Sequence, residues 1–247
     1  MGAIIITGSS RGIGAETARL LATQGYDICI NHTNSEADAQ HVAEACRRQG
    51  VNAMVYQADI ADEAQIVAMF EASDRLLGPL DGLVNNAGIL GKAGRLDALD
   101  SETIAKVFGV NVTGAMICAR EAVRRMSTKH GGHGGAIVNI SSIAATLGSP
   151  GEYVHYAASK AALDAFTVGL SKEVGPEGIR VNSVQSGTVG TTIHEKTGNP
   201  DRPAMVAATA PLQRVGDTSD IAEAVAWLLS QKAGYVTGAV LRVGGGL

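Results

Sequence analysis

Short, unbroken apolar runs alternating with longer stretches of helical periodicity constrain this chain more than any other feature. Residues 3–7, Ala-Ile-Ile-Ile-Thr, show no polar alternation, so a strand there must be covered on both faces. The pattern over 13–24 is helical and ends at Gly25, a residue suited to the position just after a helix. The alternation then repeats. Strands are predicted over 27–31, 51–57, 80–85, 136–140, 179–184 and 239–243. Helices are predicted over 35–49, 62–77, 101–129 and 218–229, with another carrying Tyr156 and Lys160. Gly50 and Gly78-Pro79 act as stops, and His130-Gly131-Gly132-His133-Gly134-Gly135 breaks the long helix. Buried strands linked by helices form a parallel sheet with helices on both faces. The expected fold is therefore α/β, a single doubly wound domain over 1–247. Segment 187–212, with Pro200, Pro203 and Pro211, fits neither pattern and reads as a substrate flap.

Composition narrows the function classes. At 247 residues, 45% hydrophobic and 18% charged, the chain has ample material for one large core. A net charge of −4, aromatics at 4% and no basic run argue against a nucleic-acid binder. There is no basic leader and no apolar run long enough to span a bilayer. A soluble, cytoplasmic protein with no membrane partner is expected. Cys29, Cys46 and Cys118 are too scattered for a metal or disulfide framework, and Cys29 reads as core. His130 and His133 have no third ligand in view, so no metal is expected.

Thr7-Gly8-Ser9-Ser10-Arg11-Gly12-Ile13-Gly14 leads from the first strand into the first helix. Gly8 allows the sharp turn, Gly12 the approach of a diphosphate and Gly14 close helix–strand packing, while the helix N-terminus offers free N–H groups. The spacing is G-x3-G-x-G rather than G-x-G-x-x-G, so the alternative of an ordinary glycine turn stands for the glycines alone. NAD sites usually carry an acid at the end of the second strand. Here that position is Asn31-His32-Thr33-Asn34, and Arg11 lies in the turn where it can meet a 2′-phosphate. NADP is favoured, with NAD possible. Asp59 reads either as an adenine contact or as a residue near a helix N-cap. Asn85-Asn86-Ala87-Gly88 ends the fourth strand, Ser141 and Ser142 end the fifth, and Asn111 sits oddly within a helix. Tyr156 and Lys160 are one helical turn apart, so a cation beside the phenol is expected to lower its pKa.

Together these residues resemble the short-chain dehydrogenase/reductases, from Thr7 to the last strand, in the branch holding 3-oxoacyl-carrier-protein reductases and glucose dehydrogenases. The resemblance implies a Rossmann-type sheet of about seven strands and a homotetramer, with the helices around Ser101–Lys129 and Tyr153–Val174 against partners. It implies that Tyr156 is the acid/base, that Lys160 holds the nicotinamide ribose, that Ser142 polarises the substrate carbonyl and that Asn111 anchors a water. Cofactor contacts would come from Gly8, Ser10, Arg11, Gly12, Ile13, Gly14, Asn31, His32, Thr33, Asp59, Ile60, Asn86, Ala87 and Gly88. Tyr156, Lys160, Gly187, Val189 and Thr191 would complete them.

Three departures from the family pattern stand out. Ser142 and Tyr156 are 156 − 142 = 14 positions apart, one more than the commonest family spacing. Ser186-Gly187 replaces Pro-Gly, and Gly244 replaces a common Asp. The expected activity is NADP(H)-dependent interconversion of a small carbonyl and a secondary alcohol. An NAD-dependent sugar or polyol dehydrogenase and a non-catalytic NADP(H)-sensing regulator are the alternatives. Trp227 is expected to anchor the last helix in the core. His155 is expected at the substrate mouth or facing solvent, and His194 lies in the flap.

Overall fold

The runs of isoleucine and valine in the strands are buried from both sides, and that burial organises the molecule. A computed structural model describes residues 1–190 and 207–247. Seven strands form one parallel sheet in the order β3-β2-β1-β4-β5-β6-β7. They are β1 (Ala3–Ile6), β2 (Asp27–His32), β3 (Ala53–Gln57), β4 (Leu80–Asn85), β5 (Gly135–Ser142), β6 (Ile179–Ser186) and β7 (Val240–Val243). Register runs Ile5 beside Cys29 on one side and Leu83 on the other. The chain turns back between β1 and β4, which opens a crevice at the carboxyl edge of the strands, where doubly wound sheets bind ligands.

The helices are α1 (Gly12–Thr23), α2 (Glu36–Arg47), α3 (Glu63–Leu77), α4 (Ser101–Phe108), α5 (Ala115–Met126), α6 (Ala144–Leu147), α7 (Val154–Val174) and, after the undescribed segment, Thr218–Leu229, here α8. Alternate strand residues feed two cores. Ile4, Ile6, Ile28, Ile30 and Val184 pack with α1, α2 and α8. Ile5, Cys29, Leu83, Ile137 and Val181 pack with α3 and α5. All three cysteines are buried, and burial pushes the Cys29 and Cys118 thiols up to about 12. Among the described residues no helix is long and apolar enough to cross a membrane.

Two expectations need correction. The helix expected over 101–129 is broken by a π-helical turn, Gly109–Gly114, that contains Asn111. The turn shifts the phase between α4 and α5, so Val107 and the Cys118–Ala119–Ala122 stripe can both face inward. Trp227 is not a core anchor: it is 42% exposed, because Ile221, Ala222, Val225, Ala226, Leu228 and Leu229 occupy the inner face of α8.

Candidate active site

The glycine turn after β1 is built from backbone that side chains would forbid. Gly8 and Gly12 have φ of +62° and +59°, where a Cβ is strained. Asn31 holds the turn from β2: its Oδ1 accepts from the Gly8 N–H at 2.9 Å, and its Nδ2 donates to the Ala58 carbonyl at 3.0 Å. Asn86, the first residue after β4, holds it too, its Nδ2 donating to the carbonyls of Thr7 at 2.8 Å and Gly8 at 2.9 Å. A Cβ on Gly14 would come within 2.5 Å of that Asn86 nitrogen. Gly14 thus makes room for a strand-edge amide as well as for helix packing. α1 begins at Gly12 with no capping side chain and no acid in its first turn, leaving N–H groups and a positive dipole end facing the crevice.

A crevice of about 920 Å³ extends from Ser10, Arg11 and Ile13 past Asp59, Ile60, Ala87 and Gly88 to Ser142, Tyr156, Lys160, Gly187 and Val189. The expected residues therefore meet in one place, but several do so indirectly. Asn31 and Asn86 line the crevice while their amides are committed to the glycine turn. His32 is buried, with its Nδ1 lacking a partner. Arg11 and Thr33 are exposed at the end of the crevice beside β2. Asp59 accepts from the Ala61 N–H at 2.9 Å, and the N-cap of α3 is Asp62 instead. Gly187 packs backbone to backbone on Gly244, whose Cα lies 2.6 Å from where a Gly187 Cβ would sit. Ser186 continues β6 and donates its hydroxyl to the Gly187 carbonyl at 3.0 Å. Val189 bridges to Gly216. Thr191 and His194 lie outside the described residues.

At the other end the two serines of β5 separate by alternation. Ser141 is buried and donates to the Lys160 carbonyl at 3.2 Å, whereas Ser142 faces the crevice and hydrogen-bonds the Tyr156 phenol. Lys160 is 3% exposed; its Nζ donates to the Ile140 carbonyl at 2.8 Å and lies 5.7 Å from the Tyr156 ring centre. Burial lowers the Lys160 pKa to about 8, with Asp164 opposing it. The expected lowering at Tyr156 is not what the fold produces. Burial holds the phenol above its ordinary value, and the Ser142 hydrogen bond pulls it back only in part. Desolvation outweighs the hydrogen bond that favours the phenolate.

Asn111 is 1% exposed. Its Oδ1 accepts from the Ile89 N–H at 2.8 Å, and its Nδ2 donates to the Ile89 carbonyl at 2.9 Å and the Ser159 hydroxyl at 3.0 Å. Ser159 in turn donates to the Tyr156 carbonyl at 2.7 Å. The side chain thus ties the loop after β4 to α7. A Cβ on Gly88 would stand 3.2 Å from Lys160 Nζ and 3.4 Å from Asn111 Oδ1, so only glycine leaves that corner open.

Beyond Tyr156 the walls are largely apolar: Leu90, Val110, Ile143, Leu147 and Tyr153, with the exposed Lys106 at the rim. His155 is not at the mouth. It is buried, and its ring Nε2 meets the Leu90 carbonyl at 2.9 Å, bracing that wall from behind. His133 pairs with Asp81 at 2.8 Å on the opposite edge of the sheet. Ser159, Tyr153 and Asp164 also stand at or near this end of the crevice, and helical spacing from Tyr156 and Lys160 is the only trace of them in the sequence.

A family model described as Enoyl-(Acyl carrier protein) reductase matches residues 8–247. An uncharacterized oxidoreductase of Escherichia coli, YgfF, is 50% identical over 246 residues, covering 100% of both chains. The 3-oxoacyl-[acyl-carrier-protein] reductase FabG of Staphylococcus aureus is 34% identical over 243 residues, covering 98% of this chain and 96% of the relative. A short-chain dehydrogenase of Burkholderia cenocepacia, solved in complex with NADP, superposes with a TM-score of 0.91 at 34% identity, covering 99% of this chain and 97% of that one. Agreement of sequence and backbone over essentially the whole length shows that this chain is an oxidoreductase belonging to the short-chain dehydrogenase/reductase family.

Proposed function

We propose that this protein interconverts a carbonyl and a secondary alcohol using NADP(H), with Tyr156 as acid/base. The observation that carries the reading is the pairing of the Ser142 and Tyr156 hydroxyls at the carboxyl edge of β5, with the Lys160 ammonium behind the phenol. The crevice fits the dinucleotide. The positive-φ glycines at 8 and 12 and the uncapped α1 N-terminus suit a diphosphate, and Gly88 leaves space beside Lys160 for a ribose. At the adenosine end, exposed Arg11 and Thr33 with no carboxylate on Asn31–Asn34 favour a 2′-phosphate. The bound nicotinamide supplies or accepts a hydride.

In the reducing direction Ser142 donates a hydrogen bond to the substrate oxygen and orients it. Tyr156 gives that oxygen its proton. A phenol held above its ordinary pKa by burial keeps its proton until the oxygen becomes strongly basic, and the Ser142 hydroxyl turns to the phenolate once the substrate oxygen carries that proton. Lys160, in its charged form, stabilises the phenolate too. The wall of Leu90, Val110, Leu147 and Tyr153 favours a carbonyl with an apolar substituent over a polyhydroxylated one, since a sugar leaves hydroxyls facing carbon there. Family membership also supports a homotetramer.

The test is a panel of ketones, acyl thioesters and aldoses assayed with NADPH and NADH, for the wild type and Tyr156→Phe. Turnover should favour NADPH and apolar ketones, and Tyr156→Phe should lose about 10²–10⁴ in kcat while still binding NADPH. Cofactor binding with no turnover of any carbonyl would instead indicate a sensing protein. A preference for NADH with aldoses would indicate a sugar dehydrogenase.

A further inference from the structure

Asp164 is a half-buried carboxylate with no part in the chemistry above. It lies one helical turn beyond Lys160 on α7, on the same face. Two donors from β6 hold it: the Ser183 hydroxyl at 2.7 Å to Oδ1 and the Gln185 amide at 2.8 Å to Oδ2. Gln185 is itself held from β7, where Arg242 Nε donates to its Oε1 at 3.2 Å, and Arg242 also reaches the Thr146 hydroxyl on α6 at 2.7 Å. The carboxylate is therefore fixed by a chain of contacts crossing three elements. A buried ammonium needs a counter-charge, and a carboxylate anchored to a strand supplies one without side-chain freedom to lose.

We propose that Asp164, clasped by Ser183 and Gln185, is a positioning residue that keeps the buried Lys160 in its charged, working form. The inference rests on Lys160 being the working cation beside Tyr156. The other groups facing Lys160 leave it no alternative among the described residues. On its own helix these are Tyr156 and Asp164. From β5 come the Ile140 carbonyl and the neutral Ser141, from the loop after β4 Gly88, and from the π-helical turn the neutral Asn111. Arg242, the cation at the far end of the clasp, meets Gln185 rather than Lys160. Lys160 titrates near pH 8, and Asp164 is the charge that raises it against burial.

Removing the Asp164 charge leaves burial unopposed, so Lys160 loses its proton at lower pH. Asp164→Asn should move the alkaline limb of kcat/KM down by about one unit, about a fivefold loss at pH 8, with little change near pH 6. Asp164→Glu should restore most of the limb. The same shift should appear without cofactor or substrate, in the ¹⁵N titration of the Lys160 Nζ, assigned by its loss in Lys160→Met. That readout is independent of turnover, so an enzyme with no identified substrate leaves it intact. If Asp164→Asn does not fold, Asp164→Ser removes the same charge. A Lys160 titration unmoved in the folded variant overturns the proposal, as does activity that falls equally at every pH, which marks a structural role.

Discussion

Tyr156 and Lys160 are brought together by sequence spacing alone. The i, i+4 interval correctly places phenol and ammonium together, and family resemblance selects the serine that stands with them. The direction of the Tyr156 shift was not legible, because it depends on how completely the fold removes water from both groups. Ser142 and Ser141 likewise diverge only once β5 has a crevice face and a buried face. Arg11 is a residue whose effect is open to measurement. It is exposed on the crevice rim, where the proposed reading puts the 2′-phosphate, so Arg11→Ala should raise KM for NADP by about tenfold, the loss of one charge-assisted contact, and leave KM for NAD nearly unchanged. Equal effects on the two cofactors would show that Arg11 does not meet the 2′-phosphate.

At the scale of elements, the glycines and apolar runs announced every strand and most helices, with ends shifted by a few residues. The π-helical turn was not announced. Its extra residue is demanded by the fit of α4 and α5 to different neighbours, which no local pattern encodes. Asn111 was the visible trace, an amide in the middle of a helical stretch. Gly114 is the second trace: a Cβ there would collide with the carbonyl oxygen of Ile60, in the loop lining the crevice. Gly109, in the same turn, has open space around its Cβ position. Gly114→Ala should therefore destabilise by about 1–3 kcal/mol, lowering Tm by about 3–10 °C. Gly109→Ala should leave Tm unchanged or slightly higher, since alanine is the better helix former. Thermal unfolding of the two variants side by side checks this, and a smaller loss for Gly114→Ala than for Gly109→Ala would refute it.

For the whole molecule, the parallel sheet follows from strands with no polar face, and its order places the crevice. Met116 on α5 and Val168 on α7 are exposed apolar side chains on the two helices that family resemblance assigns to partner contacts. Sedimentation should accordingly give a mass of four chains for the wild type, and Val168→Glu should shift it towards smaller species through a desolvated charge. A monomer in the wild type, still active, would remove the tetramer from the account.

Local chemistry along the sequence was enough to determine the layered α/β architecture, the glycine turn, and the pairing of Tyr156 with Lys160. Each depends on residues close together in the chain, where periodicity and backbone preference act directly. The completed fold alone sets that Asn31 and Asn86 are spent holding the turn, that His155 braces a wall rather than lining the mouth, and that Asp164 is clasped by Ser183 and Gln185 of β6. Those assignments turn on burial and on contacts between residues far apart in sequence. Desolvation and hydrogen-bond satisfaction take their values from the completed fold.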